Sequence, residues 1–285
     1  MHHADCEAAI RRIQHGTSSV ELVLSTTPTW PLTSAPPSAS GSPLRISVLD
    51  SSFNPPTLAH LALALSPPPA PDHTPYDARL LLLSVRNADK QLKHGDATHA
   101  QRMQMMGLLA QDMAPANVAV AIMDEPTFVG KSAALLAFLR ARFATSASRD
   151  ESYTPKVQLT FLQGTDTLER LLAPRYYGSL ENMRAALSRF FAADGDDSRV
   201  VCARRVMANT LEAAEAAEVE QRALDTMKDM GILEKVSFIN IGDDKNSFSS
   251  SEVRGKIARG DESWKAMVTH GISQYIEENN LYRPL

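Results

Sequence analysis

The run Ser51-Ser52-Phe53-Asn54-Pro55-Pro56-Thr57-Leu58-Ala59-His60 has the residue types needed to hold a phosphate chain. An apolar run at 45–49 leads into small residues, then Asn-Pro-Pro, then a helix-like stretch at 58–65. Pro55 and Pro56 fix the entry geometry, and Thr57 suits a helix N-cap. Free amides at such a helix start, reinforced by the macrodipole, form an anion site. His60 falls on the first turn of that helix, facing the same opening. An imidazolium there could hydrogen-bond phosphate oxygens and stabilise charge on a leaving pyrophosphate. Taken alone, the run reads equally as a proline-rich βα turn with an incidental histidine.

A second run, Asn246-Ser247-Phe248-Ser249-Ser250-Ser251-Glu252-Val253-Arg254, follows the last strand-like segment and opens a helix. Hydroxyls and free amides at its start can reach phosphate oxygens, and Arg254 adds a charge-assisted fork. Alone it is an ordinary serine cap. Gly164-Thr165-Asp166 follows another strand-like run. Gly allows close backbone approach there, and Asp166 could accept hydrogen bonds from ribose hydroxyls or simply cap a helix.

Ser-Phe-Asn-Pro-Pro-Thr-Leu-Ala-His resembles the Gly-Ser-Phe-Asn-Pro-x-Thr-x-x-His signature of eukaryotic nicotinamide mononucleotide adenylyltransferases. These belong to the nucleotidylyltransferase superfamily with the His-x-Gly-His motif, and Thr57 stands where the eukaryotic branch replaces the first His. The serine run is similar to the family's Ile-Ser-Ser-Thr-x-x-Arg motif. Two such motifs, in order and each after a strand, imply transfer of AMP from ATP to nicotinamide mononucleotide, with nicotinic acid mononucleotide also accepted, giving NAD and pyrophosphate. The resemblance implies that His60, Lys90 and Arg254 serve the reaction. It implies nucleotide contacts for Ser51, Ser52, Phe53, Asn54, Thr57, Gly164, Asp166, Tyr177, Arg204, Asn246, Ser249, Ser250 and Ser251. Lys93 and Arg205 are alternatives to Lys90 and Arg204, Tyr176 stands beside Tyr177, and Arg102 is a further phosphate candidate. Mg²⁺ is expected to arrive on the ATP phosphates, with no separate protein metal site.

Ser51 departs from the family glycine, where a side chain could crowd the nucleotide or strain the backbone. The stretch 124–132 replaces a segment that usually carries a stacking Trp, with Phe128 as a substitute. Gly130-Lys131-Ser132 is not a P-loop, because the glycine required five residues earlier is Glu125. These departures keep two alternatives open: another phosphorylated acceptor, or a degenerate ATP-binding or ATP-hydrolysing regulator.

The elements that must position these residues alternate. Strand-like runs at 45–49, 80–85, 118–123, 157–162, 200–203 and 236–241 are separated by helical stretches. The strands are nearly all apolar rather than alternating, which signals burial on both faces of a parallel sheet. The expected fold is α/β, a Rossmann-like doubly wound parallel sheet with C-terminal helices. Residues 44–285 are expected to form the nucleotidylyltransferase domain. Residues 1–43 read as a helical extension, with a helical pattern over 5–24, and a flexible Ser/Pro-rich linker. A net charge of -4 and pI near 6.1 give no general attraction to nucleic acid or anionic membranes. Cys6 and Cys202 make no disulfide framework or zinc pattern. With no signal-like or membrane-length apolar run, a soluble cytoplasmic or nuclear enzyme is expected, and oligomer formation is left open.

Overall fold

The structure, a computed structural model, describes residues 1–32, 42–70, 74–85, 95–146, 155–204, 210–242 and 248–283. Among these residues seven strands form one sheet in the order β1-β4-β3-β2-β5-β6-β7. The strands are β1 (Val20–Ser25), β2 (Leu44–Asp50), β3 (Ala78–Ser84), β4 (Val118–Met123), β5 (Val157–Gly164), β6 (Arg199–Ala203) and β7 (Val236–Ile239). All neighbours are parallel except β1, which runs antiparallel on β4.

Helices cover both faces, which is why the strands are largely apolar rather than alternating. Their period of two divides the core. Leu81, Leu83, Val118, Val120 and Ile122 face α1 (His3–Gln14), α2 (Leu58–Leu65), α3 (His99–Asp112), α8 (Ser250–Ala258) and α9 (His270–Glu278). Leu80, Leu82, Ala119, Ala121 and Met123 face α4 (Phe128–Ser146), α5 (Thr165–Leu171), α6 (Leu180–Phe191) and α7 (Thr210–Asp229). The order reverses between β2 and β5, and ligands of such sheets bind beyond the strands' carboxyl ends at that reversal. No helix among the described residues is long and apolar enough to cross a membrane.

The N-terminal segment differs from the expected helix over 5–24. The helix stops at Gln14, Gly16 turns the chain at φ +69, and Val20–Ser25 becomes a strand. Val20, Leu22 and Leu24 fit a strand as well as a helix, and the open edge of β4 decides between them. Arg12 ties helix to strand by two 2.8 Å bonds to Glu21. The next residues are packed: Thr26 N–H donates to Val118 O, and Trp30 is fully buried, its indole N–H on Arg79 O. Of the expected flexible linker, 33–41 lie outside the described residues.

Candidate active site

At the carboxyl end of the sheet lies a cavity of about 1230 Å³, enough for two substrate-sized ligands. Its centre is the turn after β2. Pro55 and Pro56 lead to Thr57, the N-cap of α2, so His60 occupies the third helical position. Its ring reaches back, and Nδ1 accepts the Thr57 backbone N–H at 3.0 Å, with the Thr57 hydroxyl 2.9 Å away. An accepting Nδ1 puts the proton of a neutral ring on Nε2. Nε2 lies 2.9 Å from Ser51 Oγ, so Nε2–H donates there. Burial lowers the His60 pKa to about 4. An imidazolium was expected; the structure holds a neutral imidazole instead, part-buried at the cavity wall, because a backbone donor occupies Nδ1 and burial disfavours the charged ring.

The second motif closes on the first. Ser249 caps α8 by accepting Glu252 N–H at 3.1 Å. Ser250 Oγ donates to Pro55 O at 2.8 Å, and Arg254 donates to Asn54 O at 2.6 Å and to Ser251 Oγ at 3.3 Å. Residues some two hundred positions apart are thus clamped together, and the N-termini of α2 and α8 open into one cavity.

Asn54 is the hub of this clamp rather than an open donor. Its side-chain oxygen accepts Tyr282 O–H at 2.9 Å and Ala97 N–H, while its amide donates to Asp96 at 2.8 Å. Neither Tyr282 nor Asp96 was named as a site residue from the sequence. Arg102, a phosphate candidate, is buried and braces the carbonyls of Ala97 and Ser52. Phe53 and Thr57 do not line the cavity; both side chains are fully buried behind it. Phe53 carries the turn's positive φ of +45, so the left-handed residue is Phe53 and not Ser51.

Ser51, Ser52, Asn54, His60, Gly164, Asp166, Tyr177, Arg204, Ser249, Ser250, Ser251 and Arg254 all line the cavity. A Cβ at Gly164 would meet open space, the room a close ligand needs. Arg204 lies half-exposed against Glu220, with Nε 3.1 Å from both carboxylate oxygens, and over the Phe238 ring. The Tyr177 hydroxyl donates to Leu171 O, and burial pushes its pKa up to about 12. Tyr176 and Phe128 line the wall as well. Lys90, Lys93, Arg205 and Asn246 lie outside the described residues. Lys131, considered in sequence only within the rejected P-loop pattern, enters the cavity from α4 and pairs with Asp50; its signal was a lysine among the apolar residues of that helix. Among the described residues, no three His, Cys, Asp or Glu side chains gather as a metal site.

Comparison with known proteins bears on these features. A Schizosaccharomyces pombe protein, provisionally named a nicotinamide mononucleotide adenylyltransferase, is 31% identical over 220 residues, 76% of this chain and 77% of its own. The chain belongs to the nicotinamide mononucleotide adenylyltransferase family. No family model matches the chain. A solved Plasmodium falciparum nicotinic acid mononucleotide adenylyltransferase, complexed with APC, superposes at a TM-score of 0.47 with 13% identity, covering 84% of this chain and 96% of that one. Thermotoga maritima TmcAL, bound with alpha-thio ATP, gives 0.37 with 12% identity over 83% and 56%. In this member of the family, Asp50 and Ser51 precede the signature turn and both reach other cavity side chains.

Proposed function

We propose that the cavity binds ATP on its β5–β7 side and a pyridine mononucleotide on its β3–β4 side, and that the enzyme transfers AMP to the mononucleotide. A 5′-phosphate oxygen of nicotinamide mononucleotide forms a bond to the α phosphorus of ATP. The bond from that phosphorus to the bridging oxygen breaks, and NAD and pyrophosphate result. The observation that carries this reading is the clamp of Ser250 and Arg254 onto Asn54 and Pro55, which holds two helix N-termini and His60 around one opening. The amides of the α2 and α8 starts are suited to the β and γ phosphates. Arg254 has N–H groups on the same side, and the Nε2–H of His60 is suited to the charge that develops on the departing oxygens.

Catalysis in such transfers is mainly positioning and charge stabilisation. Gly164 and Asp166 would meet the ribose, and Arg204 would exchange Glu220 for the nucleotide. Mg²⁺ enters as part of the substrate, bridging the ATP phosphates and reducing their charge. The deciding experiment follows NAD by chromatography after adding Mg²⁺-ATP and nicotinamide mononucleotide, beside His60→Ala. NAD from the parent and not from the variant supports reaction and site together. The Ser51 hydroxyl on Nε2–H favours one second reading, an ATP-binding protein without transfer. Its mark would be ATP bound or hydrolysed with no mononucleotide-dependent pyrophosphate.

A further inference from the structure

Asp50 and Lys131 form an ion pair within the cavity that the phosphate-handling groups leave unused. Lys131 Nζ lies 2.5 Å from Asp50 Oδ2, and the two side chains are 6% and 10% exposed. Asp50 ends β2 at the point where strand order reverses, and Lys131 stands on the first turn of α4. The ammonium sits 5.0 Å from the Phe128 ring centroid, and Val85 and Pro126 add apolar surface to a wall that also holds Ser84 and Thr127. This wall follows β3 and β4, whereas Gly164, Arg204 and the serine run follow β5, β6 and β7.

Burying two charges in such a lobe is a poor way to stabilise a fold, since an apolar pair of equal volume serves as well or better. Neither side chain has another hydrogen-bonding partner among the described residues. One carboxylate oxygen and two ammonium hydrogens therefore remain for a bound molecule.

We propose that Asp50 and Lys131 read the substituent on the pyridine ring of the acceptor and select a carboxamide over a carboxylate. The inference rests on the transferase reading above. A primary carboxamide presents an N–H₂ donor beside a carbonyl acceptor. Asp50 takes the donor and Lys131 supplies the acceptor's partner, so the whole group is satisfied. A carboxylate presents two acceptors and a negative charge. Lys131 suits it, but Asp50 opposes it where little water screens the pair.

The test measures kcat/KM for nicotinamide mononucleotide and for its acid form, at saturating Mg²⁺-ATP, on the same protein samples. Taking the ratio cancels any inactive fraction. The unaltered protein is expected to favour the amide by about tenfold or more, since like charges brought together cost at least that much. Asp50→Asn is expected to move the ratio toward the acid by about tenfold or more, through loss of that repulsion. Lys131→Met moves it the other way, leaving the carboxylate to meet Asp50 alone. Opposite directions are something a merely structural pair cannot produce. Should a single variant fail to fold, the double variant Asp50→Asn with Lys131→Met buries no lone charge and must bring the ratio near unity. Equal use of both acceptors by the unaltered protein overturns the inference, as do variants that shift the ratio in the same direction or by less than twofold. Those results leave the transferase reading intact. ATP binding with no transfer to either acceptor is a different outcome and removes both.

Discussion

Replacing His60 separates the structural job of its ring from the catalytic one proposed for it. His60→Ala removes the Nε2–H that faces the cavity and the Nδ1 acceptor of Thr57 N–H. The first loss falls on the rate. A preorganised donor aimed at developing charge is worth about 10²–10³ in kcat, or roughly 2.7–4 kcal/mol. The second falls on the fold. Thr57 is fully buried, so its N–H loses its partner at the start of α2. An unsatisfied buried donor costs about 1–3 kcal/mol, and the low end applies because the vacated ring leaves room for water. For a chain of this size that is a fall of about 2–4 °C in Tm.

His60→Glu tells the two apart. Glu at the third helical position is the usual partner in a capping box, so its carboxylate accepts Thr57 N–H and restores the Tm. It offers no donor and repels phosphate, so the rate stays at or below that of the alanine variant. The assay is NAD formation by chromatography under saturating ATP, with thermal melts on the same samples. If His60→Ala kept kcat/KM within about tenfold of the parent, Nε2–H would not be the group that stabilises the leaving charge. A raised KM for ATP with kcat unchanged would reduce His60 to a binding contact.

Other perturbations give distinct readouts. Arg254→Lys keeps the charge but loses the fork across Asn54 O and Ser251 Oγ; kcat/KM is expected to fall about tenfold or more, and an unchanged value would mean that charge alone suffices. In Gly130→Ala the new Cβ would overlap the Glu125 carboxylate, which accepts both Thr127 N–H and Thr127 O–H at the start of α4. A loss of about 1–2 kcal/mol is expected, and a melt indistinguishable from the parent's would show that the cap rearranges freely. Glu220→Gln weakens the half-exposed grip on Arg204, so KM for ATP is expected to drop by about two- to fivefold, the scale of a surface ion pair; a rise would mean that Glu220 aims Arg204 instead. For pH, the His60 pKa is lowered from 6.5 to about 4, so its contribution to stability is complete above 6.5 and lost as pH falls through about 4. The parent's kcat/KM should therefore show no His60 limb between pH 8 and 5; a limb near 6.5 that vanishes in His60→Ala would contradict the neutral ring.

What was legible in sequence follows from how local each signal is. The parallel strands announce themselves because both of their faces are buried, so a short apolar run carries the assignment without its partners. The βα turn at Asn54–His60 is legible because its chemistry is contiguous: prolines, a cap and a histidine within one turn. Strand β1 was not, since Val20–Leu24 fits two periods and the deciding partner, β4, begins at Val118. Asn54 was expected at the nucleotide and does line the cavity, but a motif shows spacing and not the bonds its side chain makes. Its side chain is satisfied by Tyr282, 228 residues further on, and by Asp96. Ser51 suggested strain where the family has glycine, yet the left-handed residue is Phe53, two positions along.

The same reasoning explains why Ser51 and Asp50 matter together. Each acquires its meaning from a side chain on a different helix. Ser51 Oγ takes the N–H of His60, so ATP must displace it, or share the donor with it, before that N–H can act on phosphate. Asp50 takes the ammonium of Lys131 from α4. In the proposed reaction Ser51 would condition the phosphate centre and Asp50 the acceptor lobe, from adjacent positions at the end of β2 whose side chains reach different helices. A change at the end of β2 is then felt in two places. Ser51→Gly should alter kcat with little effect on the choice of acceptor, whereas Asp50→Asn should alter the choice. If Ser51→Gly shifted the ratio between amide and acid as strongly as Asp50→Asn, the two neighbours would be acting through a common displacement of the strand end, and their separate assignments would fail.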